Sequence, residues 1–93
     1  MGEHLVIVVG DTTSHGGMVV SGNDILEVEG KAAACVGDAV HCPHHGETKI
    51  IEGFSGFVIE SYNIAYDGCK TSCGAVLIAG KQSIFFIDTG MKF

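Results

Sequence analysis

The sequence predicts an all-β domain made of three similar hairpin-like units around an approximate threefold axis. Three observations predict it. Short runs rich in Val, Ile and Phe alternate with turn residues, fourteen glycines stand against one proline, and the glycines recur at matched spacings. Residues 5–9, 17–20, 25–29, 32–36, 49–52, 57–60, 75–78 and 84–87 read as strands bounded by Gly, Asn, Asp or Ser. No window of helical length carries apolar residues at a 3.6-residue period. The run Ala32-Ala33-Ala34 is too short to nucleate a helix.

The repeat is carried by paired glycines. Gly10, Gly37 and Gly68 start the units, at spacings of 37 − 10 = 27 and 68 − 37 = 31 residues. A second glycine follows in each unit, at Gly22, Gly53 and Gly80. From second glycine to next start is 37 − 22 = 15 and 68 − 53 = 15 residues. From start to second glycine is 22 − 10 = 12, 53 − 37 = 16 and 80 − 68 = 12, so the middle unit carries four extra residues, in the region 42–47. Gly10-Asp11 matches Gly37-Asp38, Val28-Glu29 matches Ile59-Glu60, and Ala34 matches Ala65. The units are divergent copies, the first and last incomplete.

The fifth position after each start holds His15, Cys42 and Cys73, all metal-ligand residue types in equivalent turns. Equivalent turns around an axis converge, so three ligands face one point. A tetrahedral zinc needs a fourth. The insertion supplies it: Cys42-x-x-His45 is a short chelate, and Gly46 lets the chain turn away. His44 and His41 stay open as substitutes for His45. Cys35, in an Ala-rich strand with no ligand-type repeat partner, reads as a small core residue. Cys69 replaces the Asp expected after the third start and could alternatively pair with Cys73 as a disulfide. His4 is expected to be exposed.

Composition narrows the function. A net charge of −6 with five Lys and no Arg excludes a phosphate-binding surface and so a nucleic-acid partner. No apolar run is long enough to span a bilayer, and the run 5–9 lacks the basic start and cleavage site of a signal peptide. A catalytic metal needs an open coordination position and a nearby base. Four ligands close the shell, and Asp11, Asp38 and Glu47 are better placed to cap turns or face solvent. The expected class is a non-enzymatic structural protein. A free-standing metal-binding module, a small metal-dependent enzyme and a disulfide-stabilised secreted domain are the alternatives. Phe54, Phe57, Phe85 and Phe86 suit a protein that buries surface against a partner, although Phe57 and Phe86 read as core residues.

The motifs Gly10-Asp11-Thr12-Thr13-Ser14-His15-Gly16-Gly17, Gly37-Asp38, Cys42-Pro43-His44-His45-Gly46 and Thr71-Ser72-Cys73-Gly74 resemble those of the PAAR-repeat family, in family order, over residues 5–90. The name-giving Pro-Ala-Ala-Arg stretch corresponds to Lys31-Ala32-Ala33-Ala34, with its Pro and Arg replaced. The resemblance implies a conical β domain, residues 1–93, clamped near its point by a structural zinc. It implies a cap that sharpens the trimeric VgrG spike of a type VI secretion system and that can help attach toxin effectors; the three-unit shape leads to one copy per trimer. Such a protein resides in the bacterial cytoplasm, assembles on the apparatus and leaves the cell on firing. At this length the chain resembles the solitary form, without a toxin domain.

Overall fold

The computed structural model describes residues 3–88; the expected domain also takes in residues 1–2 and 89–93, which lie outside the described part. Within it the chain forms strands and no helix. The strands are β1 (Glu3–Leu5), β2 (Thr12–Thr13), β3 (Met18–Val19), β4 (Asn23–Val28), β5 (Lys31–Ala33), β6 (Ala39–Cys42), β7 (Gly46–Lys49), β8 (Phe54–Ile59), β9 (Tyr62–Ile64), β10 (Leu77–Ile78) and β11 (Phe86–Asp88).

The three units meet in a closed ring of backbone hydrogen bonds. The Ala34 N–H donates to the Ile7 carbonyl at 2.9 Å, Ala65 to Ala34 at 2.9 Å, and Ile7 to Ala65 at 3.1 Å. The offsets, 34 − 7 = 27 and 65 − 34 = 31, are those of the glycine repeat. A second ring obeys the same offsets: Val9 donates to Ala32, Val36 to Asn63 and Asp67 to Leu5, at 3.0, 2.9 and 2.9 Å. Ile7, Ala34 and Ala65 are fully buried, so the first ring supplies the partners that water cannot.

From this ring each unit rises into a hairpin. Gly10, Gly37 and Gly68 sit at φ 100°, 97° and 99°, a left-handed geometry glycine adopts without a Cβ clash. Their N–H groups donate to the carbonyls of Val19, Ile50 and Leu77 at 2.9, 2.8 and 2.9 Å. Five strands pair in the order β10-β2-β3-β6-β7. The bridges Ile50↔Thr71 and Lys70↔Val76 carry the pairing into the third hairpin and back towards β10. Val19, Ile50 and Leu77 point inward and join Ile7, Ala34, Val40, Ala65 and Cys69 in the core. Their successors Val20, Ile51 and Ile78 point outward, as strand alternation requires.

Three arms follow the hairpins. The first is β4–β5, with Val28 opposite Lys31; the second is β8–β9, with Ile59 opposite Tyr62. The third arm joins the two ends of the chain. β1 pairs β11, and His4 opposite Ile87 occupies the equivalent register. Val28, Ile59 and Ile87 are the matching buried residues. The incomplete first and last units thereby complete one another.

Some expectations are corrected. The predicted strand 49–52 lies three residues late: β7 is Gly46–Lys49, with a bridge at Ile50. Cys42 ends strand β6 and pairs Gly46, so only residues 43–45 form the turn. His4 is half-buried against the Tyr66 ring, at 4.9 Å between centroids, because arm pairing holds it there. Phe57 is half-buried against the cluster that holds Ile59 and Ile64, its ring 5.6 Å from that of Phe85, but Phe86 is 48% exposed, on the outer face of β11.

Candidate metal centre

The hairpin turns bring His15, Cys42, His45 and Cys73 together, their ligand atoms all within 4.8 Å of one another. Cys42 Sγ lies 3.6 Å from His15 Nδ1 and 3.3 Å from His45 Nδ1. Cys73 Sγ lies 3.8 Å from His15 Nδ1. A tetrahedral zinc with Zn–S of about 2.3 Å and Zn–N of about 2.0 Å has S···N edges of about 3.5 Å. The donor set therefore fits that ion in both chemistry and spacing.

Local structure explains the convergence. In the first turn Thr13 Oγ1 accepts from the N–H groups of His15 and Gly17, at 3.2 and 3.1 Å. In the third turn the equivalent Thr71 Oγ1 lies 3.3 Å from Cys73 Sγ. Gly16, Gly46 and Gly74, at φ 80°, 77° and 88°, let all three chains reverse. The turns are also tied sideways: the Ser14 N–H donates to Val76 O, and the Ser72 N–H to Lys49 O, at 2.9 and 2.8 Å. The Thr71 hydroxyl is the main reason that the Cys73 thiol is lowered to about 6. The Ala75 backbone N–H, Cys42 and His15 act in the same direction, while burial opposes them. Cys42 is buried, Cys73 and His15 are partly covered and His45 is exposed.

The other candidates separate cleanly. His44 stands beside the group, its ring 6.0 Å from that of His15 and 6.4 Å from that of His45, but outside the four-residue set. His41 is exposed on β6, between Met18 and Glu47 on the neighbouring strands. All four cysteines are free thiols. Cys35 is buried in a core cluster, and burial, with Asp38 adding to it, pushes its thiol up to about 11. Cys69 is buried in the other cluster, and there too burial raises the thiol most.

The sequence offers the carboxylates of Asp11 and Asp38 as turn caps or solvent-facing groups. Both cap. Asp38 Oδ2 accepts from the Cys35 N–H at 2.7 Å, and Asp11 Oδ2 accepts from the equivalent Val8 N–H at 2.9 Å. Asp11 Oδ1 also accepts from Gly80 and Lys81, both at 2.9 Å. That long-range tie holds the third unit to the first and left no signal in the sequence. Gln82, buried and bonded to Val6 O at 2.8 Å, was missed for the same reason.

The family model described as the PAAR motif matches residues 9–79, well over half of the 93-residue chain. No curated protein gives a match.

Proposed function

The chain belongs to the PAAR-motif family, and from that membership we propose that it is the tip protein of a type VI secretion spike. In this reading residues 1–93 form one domain that caps a trimeric VgrG-type protein. His15, Cys42, His45 and Cys73 hold a structural zinc that ties the three hairpin turns together. The metal supplies folding free energy to a small domain. The chain is assembled on the apparatus in the bacterial cytoplasm and carried outward on firing, with toxin effectors as further partners.

The observation that carries the reading is the ring of Ile7, Ala34 and Ala65. One chain repeats the same backbone contact three times around an axis, a symmetry suited to the end of a symmetric trimer. The outward trio Val20, Ile51 and Ile78 supports it, at 51%, 54% and 44% exposure, each directly following an inward residue of its unit, Val19, Ile50 and Leu77. These side chains lie at the end of each hairpin remote from the ligand turns. Four protein donors fill a tetrahedral shell and favour a structural metal over a hydrolytic one.

Native mass spectrometry of the chain with the trimeric spike from its own genome tests this. One chain per three spike subunits is expected. Three chains per trimer, or no complex, would defeat the capping role and leave a free-standing metal-binding module.

A further inference from the structure

Two of the four donors are thiols, and they come from different units of the chain. Their sulfurs lie within 4.8 Å of one another, Cys42 buried at the end of β6 and Cys73 partly open in the third turn. Cys35 and Cys69, by contrast, are enclosed in the two core clusters. We propose that Cys42 and Cys73 form a peroxide-sensitive modification site, at which oxidation closes a disulfide across two repeats and expels the metal. The inference rests on the metal reading of the same side chains.

The chemistry balances with a hydroperoxide as the named oxidant. Cys73 Sγ, the accessible sulfur, attacks one peroxide oxygen; the O–O bond breaks, and the departing hydroxide is protonated to water. The resulting sulfenic acid is attacked by Cys42 Sγ, which forms the S–S bond and releases the second oxygen as water. Two thiols and one hydrogen peroxide give one disulfide and two waters, with two electrons passing from sulfur to oxygen. Disulfide sulfurs are poor zinc ligands, because metal binding needs the thiolate. Only His15 and His45 would remain, and two imidazoles on separate turns leave half the tetrahedral shell unfilled. Approach of the sulfurs falls to the turn around Gly74, whose φ of 88° already departs from strand geometry. The cross-link replaces one clamp between the second and third units with another, while the tie to the first unit is lost.

The test uses the full chain, loaded with zinc and freed of reductant, then treated with hydrogen peroxide. Released zinc is read with a chromogenic chelator and cross-links by peptide mapping. The expected result is zinc release in step with a Cys42–Cys73 peptide two hydrogen masses lighter than its parts. Dithiothreitol with added zinc should reverse both. Cys73→His exchanges the thiol for a nitrogen donor and so removes the sulfur that is attacked; it should give no cross-link, and the zinc it binds should stay bound over the interval that empties the parent; Cys42→His serves where that variant does not fold. Zinc retained by the parent, a Cys69–Cys73 cross-link, or sulfinic acid at Cys73 without a cross-link would overturn the proposal. A chain that cannot be loaded with zinc would instead defeat the metal reading. Peptide mapping of that metal-free chain still scores the disulfide.

Discussion

Cys42 Sγ lies 3.6 Å from Nδ1 of His15, a residue one full repeat earlier in the chain. The contact exists because both residues hold the same position in their units, and the ring below brings the units to a common axis. A group that bridges them acts on the relative placement of whole repeats.

Ligand and core cysteines should part company in stability. Cys73→Ser and His15→Ala each remove a donor from the shared site and forfeit metal-coupled folding energy. Cys35→Ala loses only packing and should cost about 1 kcal/mol. Thermal melts with and without chelator will show two chelator-insensitive ligand variants and a chelator-sensitive Cys35→Ala. Equal losses at Cys35 and Cys73 would contradict the assignment.

Thiol reactivity in the metal-free chain should follow environment. The Cys73 thiol is lowered from the ordinary 9.0 to about 6, chiefly by Thr71. A depressed thiol stabilises the fold fully above the unfolded value. That contribution declines as pH falls and is gone once pH passes below about 6. Alkylation rate against pH should therefore show Cys73 half-titrated near pH 6, with Thr71→Val moving the midpoint upward. Cys35, pushed up to about 11, should stay unlabelled at neutral pH. Faster labelling of Cys35 would contradict this.

The sequence displayed the fold's period but not its closure. Gly10, Gly37 and Gly68 are legible because a left-handed turn needs glycine wherever it recurs. The grouping of His15, Cys42, His45 and Cys73 was legible because equivalence in a repeat becomes nearness around an axis. The strand Thr12–Thr13 was not, being two residues long, and neither was Ala39–Cys42, which runs directly into the ligand turn. The third arm was hidden more deeply. His4 pairs Ile87 across nearly the whole chain, and no local pattern announces such a contact. Asp11 to Lys81 is hidden for the same reason.

The two arm turns differ by one residue with a measurable cost. Gly30 has φ 82°, and Ser61 holds the equivalent place at φ 75°. A side chain in that left-handed region costs about 1 kcal/mol. Ser61→Gly should therefore raise the melting temperature and Gly30→Ser should lower it, each by about that energy. A loss of stability in Ser61→Gly would contradict the matched turn geometry.

Asp11 should matter far more than its size suggests. Its carboxylate receives three backbone N–H groups, from Val8, Gly80 and Lys81. Asp11→Ala strands these donors and should cost on the order of 3 kcal/mol. Glu47, whose exposed partner Lys49 lies 3.6 Å away, should tolerate Ala with little change in urea denaturation. Comparable losses at the two sites would contradict the assigned role.

One metal is expected to join the three repeats through two sulfurs and two nitrogens. X-ray absorption at the zinc edge, on protein purified without added metal and quantified for metal per chain, decides it. The expected result is one zinc per chain in a shell of Cys42, Cys73, His15 and His45, with two sulfur and two nitrogen neighbours. A chain fully folded and stable without metal would contradict it. So would a shell of one sulfur and three nitrogens, with His44 in place of a thiol.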